Sequence, residues 1–248
     1  MTVTRSGILL VDKPEGPSSA QVVHRVKTLL QAKKVGHLGT LDPFASGLLL
    51  IGVNEGTKIA DIFLGGIKSY SGIVALGAAT DTQDATGKVI RERPVGALTD
   101  GDLQSIERAF TGELEQVPPM FSALKKNGVR LYRLARQGKE EPREPRRITI
   151  HALHLRKRSE GELAFSMTCS RGTYVRTVAA DIGEALGCGA HLKTLRRTAC
   201  DHLSVDRALG LEELERCCVH GAAPLMPLRE ALVHLPHVTW QSRVLSRL

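Results

Sequence analysis

One aspartate in this chain is a candidate for chemistry. Asp42 lies in Gly36-His37-Leu38-Gly39-Thr40-Leu41-Asp42-Pro43-Phe44-Ala45-Ser46-Gly47, between a helix-like segment and the apolar run Leu48-Leu49-Leu50-Ile51. Glycines at this spacing let the backbone take positive φ angles and let another chain or a ligand approach closely. Pro43 disfavours the helical region for Asp42, so the carboxylate is presented from an extended or turn conformation. A carboxylate so placed can serve as a nucleophile or a base. The bland alternative is a loop in which Asp42 only caps a turn.

The flanking elements must position that loop. Gly7 to Val11 is a short apolar run closed by Asp12-Lys13-Pro14, which reads as a buried strand and a turn. Ser18 or Ser19 offers an N-cap hydroxyl, and Val22, Val26, Leu29 and Leu30 share one face of a helix reaching about Ala32. Lys33 and Lys34 suit the negative pole of its dipole. After the Asp42 loop a strand runs through Val53. Lys68 to Leu76 alternates as a strand around Tyr70, and Gly77 to Gly87 reads as a polar loop. Within it Asp81 and Asp84 are candidate metal ligands, but a hard cation wants more oxygens than this stretch supplies, so turn roles are expected.

Further on, Leu103, Ile106 and Phe110 mark a helix from Asp100, capped by Thr99 or Asp100 and followed by Gly112. A short helical stretch, Arg130 to Gln137, stops at Gly138, and Glu140 to Arg147 reads as extended and exposed. Ile148 and Ile150, then Leu153 and Leu155, alternate with a change of phase that predicts a β-bulge. Leu163, Phe165, Met167 and Cys169 form the partner strand. Tyr174 to Leu186 reads as a helix opened by Ser170-Arg171-Gly172-Thr173, Ala190 to Ala199 as a strand, and Leu211 to Cys218 as a short helix. Strands dominate without regular β-α alternation, which predicts an α+β fold with a largely antiparallel mixed sheet flanked by helices.

The chain has 248 residues and a net charge of +8, enough length for a substantial core and enough Lys and Arg to attract a polyanion. The excess is local: residues 121–160 hold 12 Lys/Arg against 4 Glu. Five cysteines form no C-x-x-C pair, which argues against a structural zinc site and for free thiols in a reducing compartment. The N-terminal stretch lacks a secretory signal pattern, and no apolar run nears membrane-spanning length. A cytoplasmic protein, not bound to membrane, is expected.

The Asp42 loop resembles the catalytic motif of the pseudouridine synthases that modify position 55 in the TΨC arm of tRNA, close to G-H-x-G-x-L-D-P-x-A-x-G. Four more stretches resemble that family, in order: Lys68-Ser69-Tyr70 with Leu76-Gly77 and Thr80 to Asp84; Pro119-Met120-Phe121-Ser122-Ala123-Leu124-Lys125 with Gly128 and Leu131 to Gly138; Cys169 to Thr177; and Gly187 to Leu192 with Leu195-Arg196-Arg197. Phe121 departs from the family's usual tyrosine. The resemblance runs from about Gly7 to Pro227. It implies a catalytic domain over 1–227 with an RNA-gripping basic insertion at about 118–147. Residues 228–248 would be a remnant, or the truncated start, of the family's small C-terminal RNA-binding domain.

The resemblance further implies that Asp42 is catalytic and that His37, Tyr70, Tyr174, Arg176 and Leu195 surround a flipped nucleotide. Tyr70 and Tyr174 would offer planar faces and Leu195 an apolar wall. His37 would sit at the mouth, and Arg176 would orient Asp42. Asp42 could attack C1′, attack C6 or remove a ribose proton, and the residues do not choose among these. The reaction needs neither cofactor nor metal, the partner is tRNA, and a monomer without an obligate protein partner is expected. The rival readings are an RNA-binding or tRNA-folding module without essential catalysis, and a glycosidic-bond hydrolase. The hydrolase would want a second carboxylate.

Lys125, Lys126 and Arg130 are the expected backbone contacts. Each phosphate neutralised contributes about −0.7 to −0.9 to the slope of log affinity against log salt, so replacing all three by alanine should flatten it by about two to three units. A filter-binding salt titration with an unchanged slope would place the RNA elsewhere.

Overall fold

The computed structural model describes residues 3–219, 223–236 and 238. The first half forms β1 (Gly7–Lys13), α1 (Ser19–Leu30), β2 (Val35–His37), β3 (Ser46–Val53), a 3-10 turn (Asn54–Ile59) running into α2 (Ala60–Gly65), β4 (Lys68–Leu76), β5 (Ala78–Thr80), β6 (Val89–Glu92) and α3 (Asp100–Ala109). Then come β7 (Gly112–Gln116), β8 (Lys125–Lys126), β9 (Val129–Arg130), α4 (Leu131–Ala135), β10 (Arg146–Ser159), β11 (Glu162–Cys169) and α5 (Val175–Ala185). The chain continues through β12 (Ala190–Cys200), β13 (Leu203–Ser204), β14 (Leu209–Gly210), α6 (Leu211–Val219) and α7 (Leu228–Ala231).

Ten strands make one sheet in the order β14-β1-β3-β12-β4-β11-β10-β7, with β2 added to β3 and β13 to β12. Two pairings are parallel, β1 with β14 and β3 with β12; the other ladders in this sheet are antiparallel. This is the α+β, largely antiparallel mixed sheet that the strand pattern predicts.

Burial explains why β1 and β3 read as unbroken apolar runs. Leu9, Val11, Leu49 and Ile51 join the main core with Val22, Val26 and Leu30 of α1 and Val178 and Ile182 of α5. The alternate residues Ile8, Leu10, Leu48 and Leu50 enter a second cluster with Phe63 and Leu203. Both faces of these strands are covered, so neither face needs polar residues. Farther out the pattern alternates: Leu163, Phe165, Met167 and Cys169 of β11 face the main core.

α1 starts at a capping box, in which the Ser18 hydroxyl accepts from Gln21 N and the Gln21 side chain reaches back. It ends where Gln31 turns left-handed, so Lys27, not Lys33 or Lys34, occupies the last turn. The bulge predicted in β10 falls between Ile150 and Ala152, where the register with β11 shifts. Elements without a sequence signal strong enough to read are short ones, among them β2, the β5–β6 hairpin that starts within the expected polar loop and ends beyond it, the 54–65 segment and the edge strand β7.

The basic insertion leaves the sheet after β7 and returns at β10, whose first residue Arg146 pairs with Gln116. It holds the β8–β9 hairpin and α4, which is shorter than the helical pattern suggests because Gly138 turns left-handed soon after it (φ 71°). Of the expected C-terminal remnant, residues 228–248, the start is α7, with Ala231 packed beside Ile8. Residues 237 and 239–248 lie outside the described residues.

Gly47 is demanded both by a close approach and by its backbone angle. Gly47 has φ 100° and lies against Arg197 of β12, so that a Cβ there would meet the Arg197 carbonyl oxygen at 2.3 Å. Gly47→Ala combines left-handed strain with a backbone clash, and should destabilise the fold by more than about 1 kcal/mol. A thermal unfolding midpoint equal to wild type would contradict this packing.

Candidate active site

The Asp42 loop closes the β2–β3 hairpin, whose register pairs Val35 with Val53 and His37 with Ile51. Leu38, Leu41 and Ala45 turn inward and are buried, which leaves Asp42 facing out. The main chain also makes the expected turn: Ala45 N donates to Asp42 O at 3.1 Å. The turn uses the backbone and spares the carboxylate.

Buried polar groups hold the loop from three sides. The Ser19 hydroxyl accepts from Leu41 N at 2.8 Å and donates to Leu41 O at 2.9 Å. Lys13 is fully buried, and its ammonium donates to Pro14 O and Pro17 O at 2.8 Å and to Pro43 O at 3.2 Å. Burial pulls the Lys13 pKa down to about 8, while the Asp42 and Glu15 charges pull it the other way. Arg197 donates from Nε to Leu48 O at 2.7 Å and from its two terminal nitrogens to Thr40 O at 3.2 Å and Gly39 O at 3.3 Å.

The fourth support reaches the carboxylate itself. Arg176, near the start of α5, donates from Nε to Asp42 Oδ2 at 2.8 Å. Its terminal nitrogens donate to Thr82 O and Phe121 O, both at 2.8 Å. Behind it, Asp84 Oδ2 lies 3.6 Å from Nε, and Asp84 Oδ1 accepts from the Thr82 hydroxyl and from the Thr86 hydroxyl and amide. The Arg176 side chain is 5% exposed and that of Asp42 39%. A buried guanidinium therefore aims a carboxylate that substrate can reach. Asp84 is the turn residue expected from sequence, and it is also a second carboxylate beside Arg176.

Asp42 opens on a cleft of about 670 Å³, a volume suited to a nucleotide-sized ligand. His37, Tyr174, Arg176 and Arg130 line it, together with Arg136 and Tyr132 of the insertion. Partial desolvation at the cleft mouth, reinforced by the Arg197 and Arg130 charges, holds the His37 pKa below its ordinary value. Burial pushes the Tyr174 phenol up.

Four expected site residues stand off the cleft. Tyr70 is opposite Arg197 in the β4–β12 ladder, packed against the main core, and burial pushes its phenol up to about 12. Leu195, opposite Gly72, is buried in that core. Both sit on the sheet, where cross-strand packing occupies their side chains. Lys125 is exposed on β8, and Lys126 is engaged within the insertion, donating to Pro142 O at 3.0 Å and pairing with Glu141 at 3.2 Å. The residues that sequence reasoning passed over are Lys13, Ser19 and Arg197. Their signal was proximity to the same motifs, but nothing in their spacing says that they point at the loop.

Residues 27–175 match the model of the TruB family pseudouridylate synthase N-terminal domain, and residues 176–233 match that of the tRNA pseudouridylate synthase B C-terminal domain. The chain belongs to the TruB family. Its similarity to tRNA pseudouridine synthase B of Geotalea uraniireducens is 49% identity over 92% of this chain and 74% of that one. For the Geobacillus thermodenitrificans protein of the same name it is 44%, over 97% and 83%. In structure it resembles a chain of a crystallised Cbf5-Nop10-Gar1 complex, with a TM-score of 0.73 and 28% identity over 93% of this chain; it spans 62% of that neighbour.

The two matches meet between Val175 and Arg176, inside the site. β12, from the second match, pairs with β3 and β4 from the first, so the sheet is continuous across the boundary. Among the described residues, no group of three or more His, Cys, Asp or Glu is placed to hold a metal, and no helix is long and apolar enough to cross a membrane.

The charges around His37 can be tested directly. Removing one of the two guanidinium groups that disfavour imidazolium should raise its pKa, so Arg130→Ala should move the NMR titration midpoint of the His37 ring upward. An unmoved midpoint would mean that Arg130 does not reach the cleft mouth in solution.

Proposed function

We propose that this protein isomerises the uridine at position 55, in the TΨC arm of tRNA, to pseudouridine, with Asp42 as the catalytic carboxylate. The observation that carries the reading is the ion pair of Asp42 with buried Arg176 at the floor of a nucleotide-sized cleft. One wall of that cleft is the basic insertion.

The isomerisation breaks N1–C1′, turns the uracil and forms C5–C1′; the proton lost from C5 balances the one gained at N1. No group enters or leaves, so the chemistry calls for no cofactor. Asp42 can attack C1′, attack C6 or take a ribose proton, and Arg176 orients it for each. A base held in a folded arm must leave its stack to reach the cleft. Tyr174 supplies a flat surface there and His37 a contact at the mouth. Tyr70 and Leu195 join the pocket if the loop opens toward the sheet on binding. Lys125, Lys126 and Arg130 contact phosphates. Residues 1–227 act as the catalytic unit, and the protein works as a monomer on tRNA in the cytoplasm, without an obligate protein partner.

The decisive experiment incubates the protein with an unmodified tRNA transcript and analyses the nucleosides. Pseudouridine supports the reading; free uracil would indicate a hydrolase, and no change an RNA-binding or folding module. Asp42→Asn keeps shape and removes charge and nucleophilicity, so turnover should vanish while tRNA binding persists. Activity within about tenfold of wild type would overturn the role of Asp42, since nucleophilic or base catalysis contributes at least ~10²-fold.

A further inference from the structure

Gln116 ends β7, the edge strand from which the basic insertion departs. Alternation along β7 turns Glu113 and Glu115 outward and Gln116 inward. An amide thus sits at a core position and is 4% exposed. Burying an amide is costly unless its donor and acceptor are both satisfied. Here both are satisfied by one residue. Gln116 Oε1 accepts from Tyr174 N at 2.8 Å, and Gln116 Nε2 donates to Tyr174 O at 3.1 Å.

Tyr174 is the N-cap residue of α5, and its own side chain caps nothing. Its carbonyl already accepts the first helical bond, from Val178 N at 3.1 Å. A helix start without a side-chain cap leaves its entry angle to outside contacts. The Gln116 carboxamide supplies them, engaging the backbone of Tyr174 as a neighbouring strand would. Two residues on, Arg176 reaches Asp42 on one side and Phe121 O, within the insertion, on another. The root of the insertion is therefore tied to α5 twice, through Gln116 to Tyr174 and through Phe121 to Arg176.

We infer that Gln116 is a positioning residue for the reaction: its side-chain amide fixes the start of α5, and with it the aim of Arg176 on Asp42 and the place of the Tyr174 ring in the cleft. This rests on the reading of Asp42 as the catalytic carboxylate. Gln116 touches neither Asp42 nor the cleft and acts through the helix start alone. Misplacement of about 1 Å in a catalytic constellation can cost about 10²-fold in rate, so a small rotation of the first turn of α5 is enough to matter.

The test uses Gln116→Met, which keeps the length of the side chain and loses both hydrogen bonds, on the full chain with an unmodified tRNA transcript. The single-turnover rate at saturating tRNA should fall by about 10- to 100-fold, while the Kd for tRNA stays within about threefold of wild type. In an Arg176→Lys background the same substitution should cost little, because the group it positions is already altered. A rate within threefold of wild type, a loss confined to Kd, or losses that multiply with Arg176→Lys would each overturn the inference. Should Gln116→Met not fold, Gln116→Glu carries the same measurements; it keeps the acceptor for Tyr174 N and sets a charge against Tyr174 O. The proposed function fails separately: Asp42→Asn would then stay active, or wild type would make no pseudouridine. The role of Gln116 fails when wild type is active, Asp42→Asn is dead and Gln116→Met matches wild type.

Discussion

A surface loop that must present a carboxylate has no ladder to satisfy its own carbonyls, and here buried cations do that work. Lys13 takes Pro14 O, Pro17 O and Pro43 O, and Arg197 takes Gly39 O, Thr40 O and Leu48 O. Main-chain carbonyls removed from water need partners, and a buried cation needs oxygens around it. Each solves the other's problem. The arrangement also explains the tolerance for charge at the bottom of the site: among the described residues neither Lys13 nor Arg197 is paired one-to-one with a carboxylate, and Asp42 pairs with Arg176.

Arg176 obeys the same rule with one difference. Two of its contacts are carbonyls, but the third is Asp42, and Asp84 stands 3.6 Å away. Removing one partner from a buried ion pair typically costs about 3–5 kcal/mol, because a charge is left uncompensated. Asp84, buried and held by Thr82 and Thr86, keeps Arg176 from depending on Asp42 alone. The guanidinium thus keeps a carboxylate beside it whatever Asp42 engages.

Long elements with one clear period were legible in the sequence. α1, β4, α3, β11 and α5 announce themselves through spacing, and even the bulge in β10 shows as a change of phase. The site was legible in part. Asp42 stood out through its glycine-flanked loop, and Arg176 through the resemblance; the structure brings them within 2.8 Å. Lys13 was unreadable because Asp-Lys-Pro after a strand is ordinary turn chemistry, and its burial depends on where residue 43 passes. Arg197 lies in a strand whose alternation is broken by register shifts, so its face could not be counted from sequence. For Tyr70 and Leu195 the motifs were visible but the placement was not: in this structure the packing of β4 against β12 sets both beside the main core, off the cleft lining.

The match to two domain models describes one mechanical unit. The boundary falls at the N-terminus of α5, yet β12 beyond it lies between β3 and β4 in the sheet. Arg176, the second residue of α5, bonds to the loop before β3, to the segment after β5 and to the insertion after β7. Three pieces of chain far apart in sequence thus converge on one side chain. A displacement of the insertion by a bound ligand would be felt at Phe121 O, hence at Arg176, hence at the carboxylate. Two of these bonds go to carbonyls fixed by local backbone geometry, so the guanidinium cannot yield to one partner without loosening another. That shared dependence couples the basic insertion to the Asp42 loop through one side chain.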